Sequence, residues 1–121
     1  MWLFGRVESS SVHLRTPLRL GGCLELQRAR VRWFLSVDAN DLPESCRSKG
    51  KFAFRSLTID GEEFDFSDGF TDLHTRVYQD ILKGGGFGVE DARPSIELVH
   101  RIRQSDVTSP SAEQAHPFLT Q

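Results

Sequence analysis

"CLELQRARVRWFLSVD", residues 23–38, decides the fold class. In its second arm Val31, Trp33, Leu35 and Val37 fall on one face, and Arg30, Arg32, Phe34, Ser36 and Asp38 on the other. That period of two marks a β-strand, whose successive side chains leave on opposite sides. The two arms meet around Gln27 and Arg28, so the pattern predicts an antiparallel hairpin. Both faces of the second arm carry large apolar groups, Trp33 on one and Phe34 on the other. A sheet covered by helices on one side only would leave the second face bare. That face is therefore expected to be covered as well, by another subunit.

Working outward, residues 6–16 read as a polar strand that stops at Thr16-Pro17. The opening "MWLFG" crowds Trp2, Leu3 and Phe4 before Gly5, the pattern of a last helical turn with a glycine C-cap. Four residues cannot form a helix by themselves, so the expectation is that the chain is a fragment of a longer protein. Downstream, "ANDLPESCRSKG" (39–50) is rich in turn formers and reads as loop. "KFAFRSLTID" (51–60) reads as a strand, and Asp60-Gly61 before "EEFDF" is a strong hairpin signal. Two helices follow. Phe70, Leu73, Val77 and Ile81 recur at helical spacing behind Asp68 as N-cap. Residues 89–104 repeat the pattern with Ala92, Ile96, Val99 and Ile102. Pro94 falls early in this second helix, where a missing N–H costs less. From Ser105 the chain turns polar, a tail with Pro117-Phe118 as its one anchoring point. The predicted fold is α+β: an open, mostly antiparallel β-sheet with two C-terminal helices packed on one face. It occupies residues 1–104, with 105–121 as tail.

Composition narrows the function classes. With 121 residues there is room for one compact domain, and 38% hydrophobic against 26% charged residues is a globular balance. A net charge of −2 offers no concentrated basic face, so nucleic acid is not an expected partner. No run of 18 apolar residues suggests a membrane span, and the opening is too short and polar for a signal peptide. Cys23 and Cys46 do not form a cysteine-dense secreted pattern. Two reduced thiols in a cytoplasmic protein is the simplest reading.

Three motifs invite chemistry. "KGGGFG" (83–88) resembles a phosphate cradle, but such a loop follows a strand and opens a helix, whereas this one follows a helix. Its spacing also fails G-x-G-x-x-G, because Val89 stands where the third glycine belongs. A helix cap and linker fits better, and no cofactor-binding residue is assigned. The acidic run from Asp60 misses a calcium loop, since its sixth residue is Asp65 rather than glycine. The four histidines, His13, His74, His100 and His116, show no metal-ligand spacing, so no metal is expected. His74 borders the stripe of the first helix, where it is either a packed core histidine or a ligand contact. Arg30 and Arg32 share a strand face and could clamp a carboxylate or diphosphate, or simply form salt bridges on an exposed sheet. Nothing here forms a catalytic set.

"LELQRARVRWFLSVDANDLP" and "FRSLTIDGEEFDFSDGFTDLHTRVYQDILKGGGFGVEDARPSIELVHRIR" resemble the C-terminal half of the Gfo/Idh/MocA oxidoreductases. "RVRWFLSVDANDLP" and "FTDLHTRVY" point to the branch that oxidises UDP-N-acetylglucosaminuronic acid at the sugar C3 with NAD, on the way to sugars of bacterial surface polysaccharide. "EDARPSIELVHRIR" is a more general ending of that family. The resemblance covers the chain from Trp2 to about Arg103. It implies a substrate-binding and oligomerisation domain, a UDP-sugar as the substrate of the whole enzyme, and a homo-oligomer formed through the sheet. It also implies that the "FTDLHTRVY" helix lies beside the substrate cleft, making Thr71 and His74 candidate contacts along with Arg30 and Arg32. Family members carry a Rossmann domain and a Lys-Pro pair. Here no lysine precedes a proline and no dinucleotide fingerprint exists. The expectation is a truncated domain, with no cofactor of its own and inactive alone. The alternative is a stand-alone binding module that pairs through its sheet.

Overall fold

The computed structural model describes residues 3–68 and 71–119, so Trp2 and Phe70 lie outside the described residues. The chain divides into two compact units, Met1–Asp38 with Gly88–Gln121, and Ala39–Phe87. The class is α+β with open antiparallel sheets.

In the first unit, β1 (Val7–Arg15), β2 (Arg19–Leu26) and β3 (Ala29–Ser36) form a three-stranded antiparallel sheet in sequence order. The predicted hairpin is present: Leu26 pairs with Ala29, leaving Gln27 and Arg28 as its turn. The turn is held from outside. Gln27 donates its N–H to the Arg6 carbonyl and Arg28 to that of Phe4, both at 3.1 Å. Gly5 takes the left-handed conformation expected of it, with φ 86°.

Register fixes which side chains meet. Gly22 pairs with Val12 on one side and Trp33 on the other, so these three form one row across the sheet. A β-carbon at Gly22 would stand 2.1 Å from the Ser11 carbonyl oxygen and 2.7 Å from the Trp33 ring. Only glycine lets the indole lie this close over β2. Val12, wholly shielded from solvent, is the centre of this small core.

The helix α3 (Val89–Gln104) runs beside β1. Its first turn is closed by Asp91, whose carboxylate accepts the Gly88 N–H at 2.7 Å. In its last turn Arg15 donates to the Ile102 carbonyl at 2.7 Å, a cation placed at the negative end of the helix. The inward residue is Leu98, 8% exposed, whereas Ile96 and Val99 are 66% and 53% exposed. The expected stripe of Ala92, Ile96, Val99 and Ile102 is thus corrected to one that runs through Leu98 and Ile102. The helix is apolar at Ile96 and Val99 as well as at Leu98 and Ile102, and the position of β1, not the period, decides which of them turns inward.

Residues 105–119 do not trail away. Val107 bridges Val12 in parallel, and Thr108 donates its N–H to the Val12 carbonyl at 2.8 Å. The chain then crosses the Arg30–Phe34 face as a strap, with Ala115 buried and Leu119 lying over Gly21. The sheet face expected to need another subunit is therefore covered, around Phe34, by this chain's own residues.

In the second unit, α1 (Glu44–Arg47) breaks the predicted loop with one short helical turn. β4 (Ser56–Ile59) and β5 (Glu62–Asp65) form a hairpin of their own, shorter than the strand expected over 51–60. Its turn has φ 51° at Asp60 and 88° at Gly61, the two positive values that a type I′ turn requires. Regular pairing stops at Ser56 because the Arg55 N–H goes to the Ser67 hydroxyl, at 2.8 Å, instead of to a backbone carbonyl. The second helix is α2 (Leu73–Leu82). Asp68 does not cap it: its carboxylate binds Lys51 at 2.6 Å, and Asp72 precedes the helix without a side-chain cap bond. The helix starts at Leu73, so Asp68 stands four residues before the N-cap position, too early to reach the first helical N–H groups.

Candidate functional site

The four residues singled out in sequence divide between the units. Arg30 and Arg32 stand on β3 of the first, and Thr71 and His74 at the start of α2 in the second.

On β3 both arginines are engaged within the chain. Arg30 donates to Glu25 at 2.6 Å and to Glu113 at 2.8 Å. The Glu113 bond, then that to Glu25, holds the guanidinium pKa above its ordinary value. Arg32 donates to the Ala115 carbonyl at 3.3 Å. The pairing favours the salt-bridged sheet face over a ligand clamp. Glu113, Ala115, His116 and Phe118 complete this surface, and sequence reasoning took all four for tail. The signal was present: Phe34 is the one large aromatic among the charged groups of its strand face, and "AHPFL" (115–119) is the apolar spot in an otherwise polar ending. Phe34, His116 and Phe118 stack with centroids 5.1 to 5.7 Å apart.

In the second unit, Thr71 lies in the turn before α2 and His74 in its first helical turn, both exposed. The packed core histidine is therefore ruled out: the stripe it borders is itself half bare, with Leu73, Val77 and Ile81 at 47%, 46% and 50% exposure. At the other end of α2 the glycine loop turns back on its own helix. Gly85 donates its N–H to the Asp80 carbonyl at 2.9 Å, and Gly86 donates to the Asp80 carboxylate at 2.8 Å. A phosphate cradle aims its N–H groups outward at an anion. Here Asp80 occupies both, one with its carbonyl and one with its carboxylate. This loop does not fit a dinucleotide phosphate.

No other chemistry converges. Cys23 and Cys46 are free thiols, both buried. Burial, then the Glu25 charge, pushes the Cys23 thiol up, away from the thiolate a nucleophile needs. Among the described residues no three histidine, cysteine or carboxylate side chains cluster as metal ligands. Nor is any described helix long and apolar enough to cross a membrane.

No family model matches the chain. Solved structures do. The WlbA (WbpB) dehydrogenase from Thermus thermophilus, in complex with NAD and UDP-GlcNAcA, is similar over 97% of this chain at 49% identity and a TM-score of 0.89. The same dehydrogenase with NAD and alpha-ketoglutarate matches over 97% of this chain at 50% identity, again with a TM-score of 0.89. In both, this chain spans 38% of the dehydrogenase's length. An identity of one residue in two, over nearly all of the 121, is kinship rather than shared architecture. The resemblance carried by "RVRWFLSVDANDLP" and "FTDLHTRVY" is borne out: over nearly its whole length the chain is similar to the WlbA (WbpB) dehydrogenase.

Proposed function

We propose that this chain is the substrate-binding and assembly part of an NAD-dependent sugar-nucleotide dehydrogenase that oxidises UDP-N-acetylglucosaminuronic acid at C3, a cytoplasmic step in making surface-polysaccharide sugars. One observation carries the reading: half of its residues are identical to those of a dehydrogenase described in complex with NAD and UDP-GlcNAcA. Thr71 and His74 are the proposed substrate contacts. They flank the start of a ten-residue helix, where backbone N–H groups and the helix dipole favour an anionic ligand. Arg30 and Arg32 act as supports for the sheet.

Hydride transfer needs the nicotinamide held rigidly against the reacting carbon. The glycine loop supplies no such seat, so the 121-residue polypeptide binds sugar nucleotide weakly and transfers no hydride. Two measurements test this. Incubation with NAD and UDP-GlcNAcA leaves the NADH absorbance flat, and a rise refutes the assignment of roles. Saturation-transfer NMR detects the uridine and sugar protons of UDP-GlcNAcA, and the signal falls in Thr71→Ala and His74→Ala. An unchanged signal in both variants refutes the proposed contacts.

A second reading rests on a different observation. Leu35 and Val37, on the Trp33 side of β3, are 63% and 80% exposed. Two such groups beside a tryptophan support self-association through this part of the sheet, as a homo-oligomer. A single monomeric boundary in sedimentation velocity at micromolar concentration refutes it.

A further inference from the structure

The strap over Phe34 is fastened by a histidine in a state that acid would change. We propose that residues 113–119 form a proton-sensitive latch: neutral His116 holds the strap on the sheet, and its protonation releases the strap and uncovers Phe34, Arg30 and Arg32.

The geometry fixes the protonation state. His116 Nδ1 lies 3.2 Å from the Phe118 backbone nitrogen, which carries a hydrogen and can only donate. Nδ1 must therefore accept, so the ring is neutral with its proton on Nε2. Adding a proton at Nδ1 would set one N–H against another and remove this bond. Phe118 is positioned by it, and the Phe118 ring stacks on both Phe34, at 5.1 Å, and His116, at 5.6 Å. Loss of that single acceptor therefore loosens the ring cluster that joins strap to sheet.

Burial and the nearest unpaired charge act the same way. On the same sheet face, by register, stand Arg30 and Arg32 from β3 and Arg19, Cys23 and Glu25 from β2, and His13 of β1 contacts Ser11, which pairs with Cys23. The strap itself contributes Glu113. Arg30 pairs with both Glu25 and Glu113, which leaves one carboxylate charge in excess, and Arg19 pairs with Asp38. Arg32, by contrast, donates to a neutral carbonyl and keeps its positive charge near His116. Burial first, and then Arg32, lowers the His116 pKa from its ordinary value. The phenyl faces of Phe34 and Phe118 would attract an imidazolium, and this contact and the excess carboxylate on the Arg30 pair run the other way. His13 is not the trigger. Its Nδ1 contacts the Thr108 carbonyl at 3.0 Å, a bond that a protonated ring still donates.

The sign follows. The open strap binds a proton at the ordinary histidine value of about 6.5, and the closed strap only below it. The closed state is fully favoured above that value. Its advantage falls by up to tenfold per pH unit as pH drops toward the lowered value, then levels off.

Amide hydrogen exchange by NMR on the full chain, between pH 8 and pH 5 and corrected for intrinsic rates, tests the latch. Ala115 and Leu119 are expected to lose protection as pH falls, while Thr108, at the root of the strap, keeps it. The His116 ring is expected to titrate below about 6.5. His116→Asn retains an acceptor near Nδ1 but cannot titrate, and its strap protection is expected to stay flat across the range. Protection independent of pH in the wild type overturns the proposal, as does a His116 midpoint at or above the ordinary value. An equal pH-dependent loss in His116→Asn, or a strap open at every pH in that variant, overturns it too.

Discussion

Gly22→Ala is expected to be among the most damaging single-atom additions to this chain. The new β-carbon would stand 2.1 Å from the Ser11 carbonyl oxygen and 2.7 Å from Trp33 Cζ2, where real β-carbons stay beyond 3.0 Å. The indole can tilt. The Ser11 carbonyl cannot, because it belongs to β1 in the pairing that puts Ser11 opposite Cys23. The strands would have to separate by about 1 Å at the row that contains Val12, the most buried residue. Overpacking against backbone lies at the upper end of its usual range, about 3 kcal/mol. With a urea dependence of about 1.5 kcal/mol per molar, the unfolding midpoint falls by about 2 M. Gly21→Ala is the control. Its β-carbon meets the Leu119 methyl groups at 3.3 and 3.4 Å, the flexible end of a strap side chain. Its cost is expected to stay below about 1 kcal/mol. Urea titration followed by far-UV circular dichroism measures both. A Gly22→Ala midpoint within about 0.5 M of wild type, or one no lower than that of Gly21→Ala, refutes the steric argument.

Other outcomes follow from local geometry. Gly61→Ala places a β-carbon at φ 88° in the β4–β5 turn. It is expected to cost the hairpin about 1 kcal/mol, read as lost protection of its cross-strand amides. Asp80→Ala removes the acceptor of the Gly86 N–H, so exchange at Gly86 should quicken while mid-helix α2 amides hold. The Asp65 carboxyl is held below its ordinary value by the Ser67 hydroxyl and then the Ser67 N–H. Its contribution is therefore present above the ordinary aspartate range and lost as pH falls through the lowered folded value. A side-chain NMR titration should show Asp65 ionising below about 3.9, and Ser67→Ala should bring it back toward that value. Trp33 Nε1 is a buried donor with no partner among the described residues. Trp33→Phe should therefore cost less than the loss of an indole normally does, since it also removes an unsatisfied N–H.

What was legible in the sequence was what period and turn chemistry dictate. Alternation along Val31–Val37 gave β3, two residues at Gln27 and Arg28 gave its hairpin, and Asp60-Gly61 gave the second. The bounds of α3 agree with the reading at both ends, Val89 and Gln104. Choices among equivalents were not legible. The regular apolar series of α3 runs through Ile96 and Val99, and only the placement of β1 turns Leu98 inward instead. Asp68 and Asp72 are both cap-forming residues, and the start of α2 at Leu73 puts Asp72, not Asp68, at the N-cap position. The strap was hidden for a related reason. A polar segment holding one apolar cluster has no period, so its place is set by Phe34 and Arg30, far away in sequence.

The candidate site was legible as a region and not as contacts, and α2 shows why. Its stripe at Leu73, Val77 and Ile81 remains half exposed, with Tyr78 at 67% and Leu82 at 86% beside it. An amphipathic helix normally spends such a stripe on its own core. On the proposed reading the stripe serves a neighbour, either the nucleotide-binding portion of a dehydrogenase or a second copy. His74 lies one residue beyond Leu73, so whatever seats on the stripe also approaches the imidazole. Substrate contact and assembly are then a single event at one end of α2, and an apolar cover there would desolvate a bound sugar diphosphate and strengthen every charge it meets. Val77→Asp separates the two. It leaves Thr71 and His74 in place but charges the stripe, so it should abolish docking through α2, and leave pairing through Leu35 and Val37 intact, while the isolated chain keeps its weak UDP-GlcNAcA signal. Equal loss of both signals would mean that α2 itself had been disturbed. Loss of neither would mean that the stripe faces only water.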